Sequence, residues 1–423
     1  MEDRRMLSVE DALARVLGGV ARLELELVPL SDAVGRALAE DLVAPHALPP
    51  FANSAMDGYA LLAADTSAAS PALPARLKVV GEVAAGRCAD LRVVAGSAVR
   101  IMTGAPIPPG ADAVVMVEAT ATDGPWVLVR EPVTAGQHVR AAGEDVRAGE
   151  VVMAAGDELG PAHVGMLASL GMPTVAVVRR PRVALITTGD EVVDAAQPLR
   201  PGQIRNADRY SLAAQVAAAG ADVAFFRHVR DDLDETRAAL VEAAAGADAL
   251  ICTGGVSVGE YDYLRAAMES HGSMSFWRVA MKPGKPLAFG RVADRPCFGL
   301  PGNPVSAMVT FELFVRPALR LMGGHKVLQR PTVRAKLASP VAHEPGRREY
   351  LRARTVWTPD GMVAHPAAGQ GSAMLKAMLS ANSLAVVPEG VASLPAGASV
   401  DVLILTEAGL SNSEPTGADE ERE

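Results

Sequence analysis

The chain has 423 residues, too many for one ordinary domain, so two to four domains are expected. Apolar residues make up 49% and charged residues 21%, a balance that excludes disorder over most of the length. The net charge of −9 argues against a nucleic-acid binder, which usually carries a basic footprint.

The opening MEDRRMLSVEDALARV lacks the apolar core of a signal peptide. No later run approaches the roughly 18 uncharged apolar residues of a membrane span, so a cytoplasmic protein is expected. Ser8 and Asp11 resemble a capping box, Val9, Leu13, Val16 and Leu17 recur at helical spacing, and Gly18-Gly19 closes the helix. Ser31 is expected to open a second helix through Leu42, ended by the proline-rich APHALPPF. From 47 to 142 short alternating runs between Gly and Pro read as a β-rich domain, with a hairpin turn at Asp123-Gly124. A helix is predicted from Gly160-Pro161 to Gly171.

From 179 to about 325 strand, loop and helix repeat. VALIT, ADVAFFRHV, ALIC and CFGL read as strands, and SLAAQVAAAG, ETRAALVEAAAG and PVSAMVTFELFVRPAL as helices. Such alternation predicts a parallel sheet covered on both faces, with ligands bound beyond the carboxyl ends of its strands. The segment 330–408 turns β-rich again, with a turn at Thr358-Pro359-Asp360-Gly361, and the acidic tail 411–423 is expected to be disordered. Cys88, Cys252 and Cys297 form no CxxC pair, which excludes a disulfide framework or structural zinc site; the last two read as small buried hydrophobes.

Three loops of the α/β region carry unusual content: Thr187-Thr188-Gly189-Asp190-Glu191, Thr253-Gly254-Gly255-Val256-Ser257-Val258-Gly259, and Leu300-Pro301-Gly302-Asn303-Pro304-Val305-Ser306. Their glycines let backbone N–H groups approach a phosphate, although none fits a P-loop or a dinucleotide fingerprint. Asp190, Glu191, Asp231, Asp232, Glu260 and Asp262 fall near the same sheet edge. Carboxylates grouped beside a phosphate make sense when Mg²⁺ lies between them. Asp231-Asp232 could equally be a helix N-cap, and Glu260 a solvated charge. Met281-Lys282-Pro283-Gly284-Lys285-Pro286 reads as a proline-stiffened cationic hook for an oxyanion.

Together these segments resemble the molybdopterin molybdenumtransferase family, which includes the E domain of gephyrin. The matching pieces are PPFANSAMDGYA, GEVAAG, RIMTGAPIPPGADAVVMVE, GEDV, TTGDEV, GQIRN, TGGVSVGEYDY, MKPGKP, GLPGNPVSA, QGSAML and ANSLAVVPEG, in the family's order and over nearly the whole chain. The resemblance implies an elongated, L-shaped subunit, multidomain α/β and β, and a homodimer. Residues 1–46 with 143–178 would form a discontinuous N-terminal domain, and 47–142 the inserted β-rich domain. Residues 179–328 would form an α/β domain like molybdopterin adenylyltransferase, and 329–410 a small β barrel. It also implies a reaction: molybdate joins adenylylated molybdopterin, with Mg²⁺-dependent release of AMP.

By motif position, the family's functional polar set falls on Asp57, Thr103, Asp145, Glu191, Asp231 and Asp262, with Glu191, Asp231 and Asp262 at the metal. The loop residues Thr188, Gly189, Asn206, Gly254, Gly255, Ser257, Gly259, Pro301, Gly302, Asn303 and Ser306 would cradle the substrate. Lys282, Lys285, Arg352 and Ser372 would hold oxyanions, with a strand-edge salt bridge the alternative for Arg352. Asp57 would reach the site from the partner subunit, and the adenylyltransferase would be a partner protein. Two alternatives stay open, a scaffold like the gephyrin E domain and a tungsten-inserting relative.

Overall fold

Ser8 caps the first helix, α1 (Val9–Gly18), by accepting the Asp11 backbone N–H at 3.0 Å. The computed structural model describes residues 6–86, 91–254 and 263–410. The apolar stripe of α1, Val9, Ala12 and Val16, packs into the core of the α/β unit rather than with the segments that follow it. The second helix expected from Ser31 to Leu42 is absent; a short 3-10 turn at Leu30–Asp32 stands there instead. Gly35 adopts a left-handed φ of 78°, and the following N–H groups pair across the chain, Leu38 to Asp157 and Ala39 to Ala176. Those cross-chain bonds replace the ladder a helix would have needed. A small core then joins Val28, Leu38 and Leu42 to Met153, Leu167 and Val177, with α2 (Pro161–Ser169) on its flank.

Between those segments lies a six-stranded sheet, ordered Ala113–Met116, Gly58–Leu61, Ser97–Ile101, Ala75–Val83, Trp126–Val129, Thr120–Asp123. Its last two strands form the hairpin predicted at Asp123-Gly124, where Gly124 takes a φ of 56°.

The α/β unit contains strands β1 (Arg182–Thr188), β2 (Asp222–Val229), β3 (Ala249–Thr253), β4 (Gly272–Arg278), β5 (Pro286–Val292) and β6 (Arg295–Leu300), in the order β2-β1-β3-β6-β5-β4. The first four in that order are parallel, and the antiparallel β5 and β4 complete the edge. Alternation along β1 sends Val183 and Leu185 to one face and Ala184 and Ile186 to the other. The first face packs on α1, α3 (Ala207–Ala218), α6 (Pro304–Thr310) and α7 (Arg316–Met322), the second on α4 (Leu233–Gly246) and α5 (Tyr263–His271). A π-turn at Phe311–Val315 interrupts the long helix expected after Pro304. Cys252 and Cys297 are both fully buried on the second face.

Strands β7 (Thr332–Leu337), β8 (Arg348–Thr358), β9 (Gly361–Pro366), β10 (Ser383–Val387) and β11 (Ser399–Ile404) close into a five-stranded barrel through the β8–β10 pairing. Closure removes the free edges that a small open sheet would expose. Among the described residues no helix is long and apolar enough to cross a membrane.

Candidate active site

Parallel strands leave their carboxyl ends, and the loops that follow, at one edge of the sheet. A cavity of about 390 Å³ opens there. The loop after β1 contributes Thr188, Gly189 and Glu191, and Asn206 and Asp208 enter from the start of α3. Asp231 follows β2, Gly254 follows β3, and Pro301, Gly302 and Asn303 follow β6. Three of these loops meet almost backbone to backbone. A Cβ on Gly254 would stand 2.5 Å from Thr188 Oγ1, and one on Gly302 would stand 3.3 Å from Gly254 Cα. Gly254 also has a φ of 86°, which a side chain would strain.

Asp232 is the N-cap of α4, its carboxylate accepting the Glu235 N–H at 2.8 Å, which leaves Asp231 free for the cavity. Asp190 and Asp231 tie the β1 and β2 loops together, each accepting the other's backbone N–H at 3.3–3.4 Å. Burial pushes the Asp231 carboxyl above its usual range, and the neighbouring Glu191 and Asp190 charges push it further. That repulsion is what a bound cation would relieve. Among the described residues no group of three His, Cys, Asp or Glu side chains converges on one point. Two carboxylates plus substrate oxygens are nevertheless a usual environment for Mg²⁺, so Glu191 and Asp231 fit it. Asp262, Glu260, Gly255, Ser257 and Gly259 lie outside the described residues, as does Cys88.

The wall beside the cavity is built by two units. The Asn303 amide donates to Ser372 Oγ at 3.0 Å, and the Val305 N–H donates to the Ser372 carbonyl, fastening the barrel loop onto the start of α6. Arg352 is fully buried under that loop, donating Nη2–H to the Gly371 carbonyl at 3.3 Å while Nε has no partner among the described residues. Its alternative reading, a strand-edge salt bridge, does not describe this buried position. Burial lowers the Arg352 pKa. Gln370, which sequence reasoning left without a role, grips the Arg352 backbone from both sides, accepting its N–H and donating to its carbonyl.

The cationic hook divides. Lys282 Nζ lies 2.8 Å from the Glu349 carboxylate, whose other oxygen meets His343 Nδ1 at 2.8 Å. Lys285 is exposed and makes no ion pair among the described residues. Gly284 between them would clash with Thr310 if it bore a Cβ, so the hook presses on α6. Ser306 is buried in α6 and does not line the cavity. Asp57, Thr103 and Asp145 also lie away from it. Asp57 Oδ1 accepts both the N–H and the hydroxyl of Thr103, at 2.6 and 2.8 Å, which holds its carboxyl below the usual range. Asp145 is exposed in the loop after Gly143. Asp208 and Glu349 were missed because a lone acid near a helix start or inside a strand carries no signal until its neighbours are known.

Comparison with known proteins accounts for this architecture. Residues 7–171 match the MoeA N-terminal region (domain I and II), 184–321 a probable molybdopterin binding domain, and 334–405 the MoeA C-terminal region (domain IV). The chain is 42% identical over 386 residues to molybdopterin molybdenumtransferase 2 of Mycobacterium tuberculosis, covering 90% of this chain and 95% of that protein. It is 35% identical over 412 residues to the molybdopterin molybdenumtransferase of Bacillus subtilis, covering 96% of each. The crystal structure of the molybdopterin biosynthesis moeA protein from Pyrococcus horikoshii OT3 superposes with a TM-score of 0.83 at 32% identity, covering 95% of this chain and all of that one. Fold and site therefore define a transferase with a role in molybdenum cofactor biosynthesis. The chain belongs to the molybdopterin molybdenumtransferase family.

Proposed function

We propose that this enzyme transfers molybdenum from molybdate onto adenylylated molybdopterin and releases AMP, the final insertion in forming the cofactor. The observation that carries this reading is the meeting of Gly254, Gly302 and Thr188 with Glu191 and Asp231 in one cavity. Glycine backbones can approach a phosphate closely, while the two carboxylates match a cation beside it. Glu191 and Asp231, with Asp262, would hold Mg²⁺, which supplies charge neutralisation for the phosphoanhydride when bound. Water then adds to the adenylyl phosphorus and the pterin phosphate leaves, so the anhydride breaks and AMP departs.

Lys285, exposed next to the cavity-lining Pro286, would supply a cationic donor for molybdate, while the buried Arg352 would act indirectly, holding the Gly371 carbonyl of the barrel loop that Ser372 fastens to α6. Asp57 lies outside the cavity of its own chain; on this reading, which rests on the family resemblance, the enzyme is a homodimer and Asp57 reaches the partner's cleft. We also assign the enzyme to the cytoplasm, with molybdopterin adenylyltransferase supplying its substrate. The test is incubation with adenylylated molybdopterin, molybdate and Mg²⁺. AMP release is expected, falling at least about 100-fold in Asp231→Asn, in the range for loss of one stabilising group. Release by the variant at the wild-type rate would remove Asp231 from the reaction.

A further inference from the structure

Among the described residues that line the cavity, Asp208 is the carboxylate to which the proposed reaction gives no role. Asp208 stands in the first turn of α3, is 6% exposed and lines the cavity with Thr188 and Gly254. Its Oδ2 accepts the Thr253 hydroxyl at 2.8 Å. Among the described residues its Oδ1 is shielded from solvent and accepts no hydrogen bond, and Thr188 Oγ1 is a second buried polar atom of the same cavity without a partner there. An unsatisfied buried acceptor costs about 1–3 kcal/mol, a cost that a donor from a bound group or an ordered water removes.

The chemistry of that donor can be narrowed. A phosphate oxygen is excluded, because it and the carboxylate both accept. Arg205 lines the cavity too, but its Nε–H is directed to the Ala195 carbonyl at 3.0 Å. With Oδ2 engaged, one oxygen remains, which suits a single neutral N–H better than a cation needing several ligands. Burial pushes the Asp208 carboxyl up to about 6, and an N–H donor would favour its ionised form.

We infer that Asp208, aided by Thr188 Oγ1, receives a ring-amine N–H of the substrate's fused heterocycle and so reads its edge. This rests on the cavity's proposed role in holding a nucleotide-tagged pterin, and adds the residue that selects its base. Both halves of that substrate carry such an amine, the adenine 6-amine and the pterin 2-amine.

Calorimetric titration of the full chain separates them with two ligand pairs. One is AMP against purine riboside monophosphate, which lacks the 6-amine. The other is pterin against lumazine, which has oxygen in place of the 2-amine. In the wild-type protein the amine-bearing member of one pair should bind about ten-fold or more tightly than its mate. Asp208→Leu, which removes both acceptor oxygens at nearly the same side-chain size, should shrink that ratio to within about two-fold while leaving the amine-free ligand unchanged, which a collapsed site would not do. The nucleotide pair responding identifies the adenine, and the pterin pair responding identifies the pterin. Asp208→Ala is the second variant and should behave alike. A ratio that survives both substitutions, or an equal loss for both members of each pair, would overturn the inference. If the wild-type protein binds none of the four ligands, the cavity's own assignment falls, and this one with it.

Discussion

Lys282 and Lys285 are three residues apart, yet their surroundings assign them different tasks. Glu349 has a side chain 4% exposed, and its two oxygens are met by Lys282 and His343. Those two hydrogen bonds hold its carboxyl below the usual range against the opposing effect of burial. Lys282→Ala would leave that buried charge with His343 alone and should cost about 1–3 kcal/mol, discounted because the Lys282 side chain is partly exposed. Lys285→Ala breaks no ion pair among the described residues, so its unfolding midpoint in urea should stay that of the wild type. Molybdate affinity should instead weaken by about 1.5–3 kcal/mol, the size of a charged hydrogen bond. Urea unfolding and molybdate titration of both variants check the division. Equal stability losses in the two would show that the lysines are interchangeable, as the sequence alone suggests. From the sequence both are cations in one stiff loop. What separates them is the pairing of Lys282 with Glu349 across β8, a contact 67 positions away in the chain.

At the scale of elements, the cavity depends on loops that can touch. Gly254 and Gly202 both have positive φ, 86° and 84°, so alanine at either should cost about 1–2 kcal/mol in backbone strain. Only Gly254 also faces a neighbour: its Cβ would stand 2.5 Å from Thr188 Oγ1 and 2.9 Å from the Thr188 carbonyl, whereas nothing lies within 4 Å of one on Gly202. Gly254→Ala should therefore push the β1 and β3 loops apart and abolish AMP release, while Gly202→Ala should lower the melting temperature with turnover unchanged. Retained turnover in Gly254→Ala would mean that the close approach is not needed. The meeting of Thr188, Gly254 and Gly302 at the sheet edge was legible, because strand–loop–helix alternation fixes where such loops gather; the rest of the loop after Gly254 lies outside the described residues. The helix expected from Ser31 to Leu42 was misread, because its apolar residues serve a core assembled from residues more than 100 positions later. Helical spacing cannot distinguish that from an amphipathic stripe.

For the whole molecule, the N-terminal unit meets the α/β unit through the apolar stripe of α1 and, at the end of α7, through a cluster of ion pairs. Arg320 donates to Glu158 at 2.6 Å, His325 lies 3.4 Å from the same carboxylate, and Lys326 pairs with Asp157 at 3.0 Å. His325 is buried, and burial together with Arg320, Arg316 and Arg36 lowers its pKa to about 4, although Glu158 opposes them. The unfolded chain then binds more protons than the folded one between about pH 6.5 and 4. Stability supplied by neutral His325 is complete above 6.5 and is lost as pH falls through that window, on the order of 3 kcal/mol. Asp208 has the opposite sign. Its folded pKa of about 6 exceeds the ordinary aspartate value of 3.8, so its contribution is complete below 3.8 and is lost as pH rises through 6. The two windows overlap and the two effects are similar in size, so these groups should nearly cancel between pH 6 and 4. Substituting one at a time should uncover the other. His325→Gln should gain thermal stability as pH falls from 6 to 4.5, and Asp208→Asn should lose it over the same range. Melting temperatures of the wild type and both variants across that range decide the matter. Parallel slopes in all three proteins would show that neither group titrates differently in the fold, and matching slopes in the two variants alone would show that the opposition is not between these residues.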